Sequence, residues 1–267
     1  MTRDRLISLI FNKRSYLCVG LDSDINKIPP SLLTEPDPVF SFNKAIIDAT
    51  RDFCVAYKIN TAFYEANGVK GWETMEKTVR YIGDEHFRIA DAKRGDIGNT
   101  ADQYARAFFQ ALPFDALTVA PYMGEDSIKP FLRHEGKWAI VLGLTSNAGS
   151  KDFELQKTGD DYLYELVLKK VMGWGDITNL MFVIGATQAS EFTRIRELTP
   201  EHFYLVPGVG AQGGSLEEIS KKAMNKDVGL LVNASRAIIF ASAKEDFAIR
   251  AREAAYAYRQ QMSRYLP

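Results

Sequence analysis

Four charged side chains fall within six residues in the stretch RIADAKRGDIGNT, residues 88–100: Asp91, Lys93, Arg94 and Asp96. They follow an apolar run, at the point where a strand should be giving way to a loop. Two apart on an extended chain, Asp91 and Lys93 project to the same face. An amine set among carboxylates in a partly desolvated pocket is favoured as the ammonium, because nearby negative charge stabilises the charged form. Such a group suits proton donation and the stabilisation of a developing anion. It suits a Schiff-base role poorly, since that chemistry needs the free amine.

Side chains of this kind need a scaffold that fixes several chain segments at one place. Eight short runs rich in Val, Ile and Leu recur along the chain, at residues 16–22, 54–60, 87–93, 116–122, 138–145, 180–187, 203–210 and 228–235. Segments of helical period lie between them, at 41–53, 71–83, 100–112, 162–174, 190–199, 215–224 and 244–265. That alternation is the pattern of βα units around a parallel sheet. With no linker, repeat or composition shift to divide them, residues 1–267 are expected to form one (β/α)8 TIM barrel domain, preceded by a short amphipathic helix within residues 1–16.

In such a barrel the active site lies at the C-terminal ends of the strands. Asp22 ends the first run, Lys58 and Asn60 the second, and Asp91 with Lys93 the third. The fifth ends in Thr145, Ser146 and Asn147, the seventh enters PGVGAQGG (207–214), and the eighth ends in Asn233, Ser235 and Arg236. Polar groups from six strands thus gather on one rim. The glycines Gly208, Gly210 and Gly213 spell G-x-G-x-x-G, but a dinucleotide fingerprint belongs after the first strand of its unit, with an acidic residue about 20 positions on. After a seventh strand, with no such acid, the loop fits a barrel phosphate site better. Arg236 would clamp the same phosphate; the competing reading is an ion pair with a nearby carboxylate.

Composition narrows the partners. Lys plus Arg number 33 against 34 Asp plus Glu, a formal net charge of -1. No field of that size gathers nucleic acid or an anionic membrane, so any anionic ligand must be held locally. No apolar run is long enough to span a bilayer, and residues 1–16 are interrupted by charge too early for a secretory signal. The two cysteines, Cys18 and Cys54, cannot build a disulfide framework, which fits a cytoplasmic location. The three histidines, His86, His134 and His202, fall away from the rim, and no cluster of metal-ligand spacing is present, so neither a metal nor a cofactor is expected.

The segment DAKRGDIGNT resembles the D-x-K-x-x-D-I-x-x-T signature of the orotidine 5'-monophosphate decarboxylases, and YKINTAFYEANG, GLTSN and VPGVGAQGG are similar to the longer bacterial subgroup of that family. The resemblance implies decarboxylation of orotidine 5'-monophosphate to UMP by a homodimer with shared sites. It implies that Asp22 and Lys58 hold the ribose hydroxyls, with Lys58 also touching Asp91. Asp91 would lie beside the substrate carboxylate and Lys93 would protonate C6. Asp96, Ile97 and Thr100 would reach into the partner's site. Ser146 would read the pyrimidine edge, and Pro207, Gln212, Gly213 and Arg236 would form the phosphate side, with Gln212 bridging toward the base. Ala148 and Gly149 stand where many members have Pro, and Ser235 where many have Gly. Two other functions share parts of this pattern: a phosphosugar aldolase or keto-acid decarboxylase barrel, which usually uses Mg²⁺, and a non-catalytic nucleotide-binding barrel, which would have no reason to keep so costly a charge array.

Overall fold

The eight apolar runs become eight parallel strands of one closed barrel in a computed structural model that describes residues 1–188, 190–210 and 213–267. In chain order these are β1 (Leu17–Gly20), β2 (Ala56–Asn60), β3 (Phe87–Arg94), β4 (Ala116–Val119) and β5 (Trp138–Leu144). A small antiparallel hairpin of β6 (Lys157–Thr158) and β7 (Asp161–Tyr162) follows, and β8 (Leu180–Ile184), β9 (Phe203–Pro207) and β10 (Leu230–Ala234) complete the barrel. The ring runs β1-β10-β9-β8-β5-β4-β3-β2, so the first strand pairs with the last. Every residue of β1, β4, β8 and β10 is buried, as expected where a parallel sheet is covered on both faces.

Two strands stop short of the C-terminal ends of their apolar runs for local reasons. β4 stops soon after Val119: Ala120 still gives its N–H to Arg94 O at 2.8 Å, but Pro121 has no N–H to continue the ladder. β9 stops at Pro207, where Gly208 turns the chain with φ 95°. The helices follow their caps. The second begins at Pro38 rather than at 41, because Asp37 Oδ1 accepts the Phe40 N–H at 3.2 Å and Pro38 fits the first helical position. The first covers Arg3–Lys13, and the last Phe247–Met262. Hairpin β6–β7 has no counterpart among the sequence expectations.

Parallel pairing sets neighbouring strand ends side by side. Gly20 lies opposite Lys58, Lys58 opposite Ile89, and Asn60 opposite Asp91. The ladder between β3 and β4 breaks once: Ala90 pairs with Leu117 but the next pair is Arg94 with Val119, so Asp91, Ala92 and Lys93 bulge opposite Thr118.

Candidate active site

Four charges of alternating sign meet at the mouth formed by β1, β2 and β3. Lys58 Nζ is 3.1 Å from Asp22 Oδ1 and 2.9 Å from Asp91 Oδ2, and Lys93 Nζ is 2.6 Å from Asp91 Oδ1. Burial of Lys58 alone would drive its pKa down, but the carboxylates of Asp22 and Asp91 outweigh that and raise it. Burial of Asp91 alone would raise its pKa, yet Lys58 and Lys93 hold it well below the usual carboxylate range. Both are therefore charged at neutral pH. The Lys58 side chain is 4% exposed and that of Asp91 12%, whereas that of Lys93 is 53% exposed and free to meet a ligand.

Asp91 and Lys93 converge, though not by regular strand alternation. Lys93 has φ 47°, in the left-handed region that costs a non-glycine residue roughly 1–2 kcal/mol. The bulge, rather than the pleat, turns its side chain back onto Asp91. Thr118 lies at the centre of this arrangement: its hydroxyl accepts the Lys93 N–H at 2.9 Å and donates to Asp91 Oδ1 at 3.1 Å. The residue-by-residue reading of the sequence passed over Thr118, although a hydroxyl inside the apolar run ALTVAPY was the available signal.

A cavity of about 190 Å³ opens against these charges, lined by Lys58, Asp91 and Lys93 on one side and by Ser146, Asn147 and Pro207 among the others. Apolar Leu142, Val183 and Leu205 form part of its floor. The Ser146 loop is braced by a residue that sequence reasoning also missed. Glu154 Oε2 accepts the Thr145 N–H at 2.7 Å, and Gln188 Nε2 donates to Thr145 O at 2.9 Å.

The phosphate side is only partly in view. Arg236 opens the short helix Arg236–Ile239, is exposed, and has no carboxylate partner among the described residues, so the ion-pair reading is not supported. Gln212 lies outside the described residues. Gly208, Gly210 and Gly213 have φ of 95°, 74° and 88°. The N–H of Gly213 donates to Gly210 O at 3.0 Å, and that of Gly214 to Gly208 O at 3.3 Å. These two amides bond within the loop. Ser235 fits because residue 20 is Gly: a Cβ there would lie 1.9 Å from Ser235 Oγ.

Asp96, Ile97 and Thr100 are not brought to their own chain's cavity. Asp96 Oδ1 accepts the adjacent Ile97 N–H at 2.8 Å and pairs with no cation among the described residues. Ile97 is 53% exposed, and Tyr122 and Met123, after β4, are 89% and 46% exposed. The three histidines lie on the connections that precede strands, His86 before β3 and His202 before β9. Among the described residues no group of three or more His, Cys, Asp or Glu could hold a metal ion, and no helix is long and apolar enough to cross a membrane.

A closed parallel barrel with convergent charges at the C-terminal ends of its strands defines a (β/α)8 protein of enzyme type. The model described as "Orotidine 5'-phosphate decarboxylase / HUMPS family" matches residues 15–251, and the chain belongs to that family. Orotidine 5'-phosphate decarboxylase of Bacteroides fragilis is 56% identical over 270 residues, covering 100% of this chain and 98% of that protein. The enzyme of the same name from Christiangramia forsetii is 56% identical over 266 residues, covering 98% of each. Among solved structures, OMP decarboxylase of Leishmania donovani matches with TM-score 0.82 at 36% identity, over 97% of this chain and 99% of that one. UMP synthase of the same organism matches with TM-score 0.81 at 38% identity, over 94% of this chain and 56% of that one.

Proposed function

We propose that this chain decarboxylates orotidine 5'-phosphate to UMP, without metal or organic cofactor, as a homodimer with shared sites. The observation that carries this reading is the alternating array Asp22, Lys58, Asp91 and Lys93 beside a cavity whose far wall holds Ser146 and Pro207. Breaking the bond from C6 to the carboxylate leaves an electron pair on C6 that the ring's π-system cannot delocalise. The barrier must then fall mainly by electrostatics. The Lys93 ammonium supplies a positive charge where the negative charge develops, then transfers its proton to C6, and the amine regains a proton from water. Asp91, held ionised, orients both lysines and repels the substrate carboxylate.

Asp22 and Lys58 hold the ribose hydroxyls, and Ser146 reads the pyrimidine edge. Arg236 and Gln212, with Pro207 and Gly213 shaping the loop, hold the phosphate far from C6. Its binding energy is used to close the site and exclude water. The buried free thiols of Cys18 and Cys54 fit a reducing cytoplasm.

Asp96, Ile97 and Thr100 act in the partner's site; exposed Ile97, Tyr122 and Met123 offer apolar surface for that contact. Subunit mixing tests substrate and sharing together. Lys93→Ala and Asp96→Ala dimers are each inactive toward orotidine 5'-phosphate. In a mixed dimer one site carries both lesions and the other carries neither. Random exchange makes about half the dimers mixed, so activity recovers to roughly a quarter of wild type. No recovery, with exchange confirmed by mass spectrometry, would reject sharing.

A further inference from the structure

We infer that Thr118 is a positioning residue for the decarboxylation proposed above: one hydroxyl sets both the Asp91 carboxylate and the backbone that carries Lys93. The inference rests on that functional reading for its kinetic consequence, and on the strand register for its geometry. Where β3 bulges, three residues, Asp91 to Lys93, stand opposite the single residue Thr118. A bulge leaves ladder groups without partners, and a buried backbone N–H left unpaired is costly. Here a side chain takes the place of the missing carbonyl, since Thr118 Oγ1 accepts the Lys93 N–H at 2.9 Å.

A threonine hydroxyl has one proton to give and lone pairs to receive with. Having accepted from Lys93, it gives its proton to Asp91 Oδ1 at 3.1 Å, the same oxygen that Lys93 Nζ reaches at 2.6 Å. Three residues close a small ring through four groups: backbone of Lys93, hydroxyl of Thr118, carboxylate of Asp91, ammonium of Lys93. Thr118 is 1% exposed, so water cannot substitute for it. Lys93 at φ 47° stands in a conformation that is costly for a non-glycine residue and persists only where the surroundings hold it, and the Thr118 bond to its N–H is one such hold. The neighbouring bond from Ala120 N to Arg94 O, at 2.8 Å, resumes the ladder immediately after the bulge and confines the distortion to this site.

The test uses two variants of nearly unchanged volume. Thr118→Val keeps the branched shape and removes both bonds; Thr118→Ser keeps the hydroxyl. For Thr118→Val the expected result is a fall of roughly 10- to 100-fold in kcat, with the Kd for UMP within about threefold of wild type, because phosphate and ribose contacts do not pass through Thr118. Thr118→Ser recovers kcat to within about fivefold of wild type. Amide hydrogen exchange provides a readout independent of turnover: the Lys93 N–H is protected in wild type and Thr118→Ser, and exchanges at least tenfold faster in Thr118→Val.

A Thr118→Val protein that binds UMP and retains kcat within twofold overturns the positioning role, and unchanged Lys93 protection overturns the geometry. If Thr118→Val does not fold, Thr118→Ser decides, since a folded serine variant with more than tenfold loss of kcat contradicts a role carried by the hydroxyl. Wild-type protein that turns over no orotidine 5'-phosphate is a failure of the functional reading; the exchange experiment then still judges the bulge bond.

Discussion

At the C-terminal end of the barrel Lys58 and Asp91 are nearly buried and charged, whereas at the N-terminal end His86 and His202 are as well buried and neutral. Desolvation opposes charge at both ends. At the mouth, each buried charge has opposite charges at 2.6–3.1 Å, and the attraction outweighs the cost of burial. At the other end the neighbours have the wrong sign. Burial, then Lys13, brings His86 down to about 4; burial, then Arg3 and Arg196, does the same for His202. Neither nitrogen of His202 has a partner in the structure. Buried groups thus stay charged where opposite charges surround them, as at the mouth, and the two histidines, set beside cations, stay neutral.

The largest effect that would break this contrast comes from the mouth. On the proposed mechanism Lys93→Ala removes both the proton donor and the positive charge placed near C6, so kcat should fall by more than the roughly 10²- to 10⁴-fold typical of general acid catalysis alone. UMP should still bind, through the phosphate side. A variant keeping more than about a tenth of wild-type kcat would remove Lys93 from the centre of the mechanism.

The smaller effect belongs to the closed end and is read in stability. His202 takes up a proton near pH 6.5 when unfolded but only near pH 4 when folded, so the unfolded state binds more protons between those values. Stability contributed by the neutral ring is complete above about pH 6.5 and is lost as pH falls toward 4. His202→Phe, which keeps a ring against Phe182, should lose roughly 2 kcal/mol less than wild type between pH 7 and pH 4.5 in urea unfolding. Equal losses in both proteins would show that His202 titrates normally in the folded chain.

The contrast was half legible in the sequence. Apolar runs gave the eight strands, because a strand buried on both faces must be apolar nearly throughout. Charges at the ends of those runs gave the mouth, and Asp22, Lys58, Asp91 and Lys93 do meet there. The bulge was not legible: it is a register shift between β3 and β4, and the partner that reveals it, Thr118, is 25 residues from Lys93. For the same reason Glu154, which braces Thr145 from the turn before the hairpin, left no sign in its own segment. The glycine stretch was legible as a loop after the seventh strand, but which of its amides bond within it depends on its closure in space.

The most direct measurement of the central claim is the loss of orotidine 5'-phosphate absorbance with purified protein in excess EDTA, with CO2 release followed in parallel. The charges at the mouth are all supplied by the chain, so the account predicts full activity after exhaustive chelation, with UMP and CO2 formed one to one. No turnover, or turnover that returns only on adding Mg²⁺, would contradict it and favour a sugar-phosphate barrel.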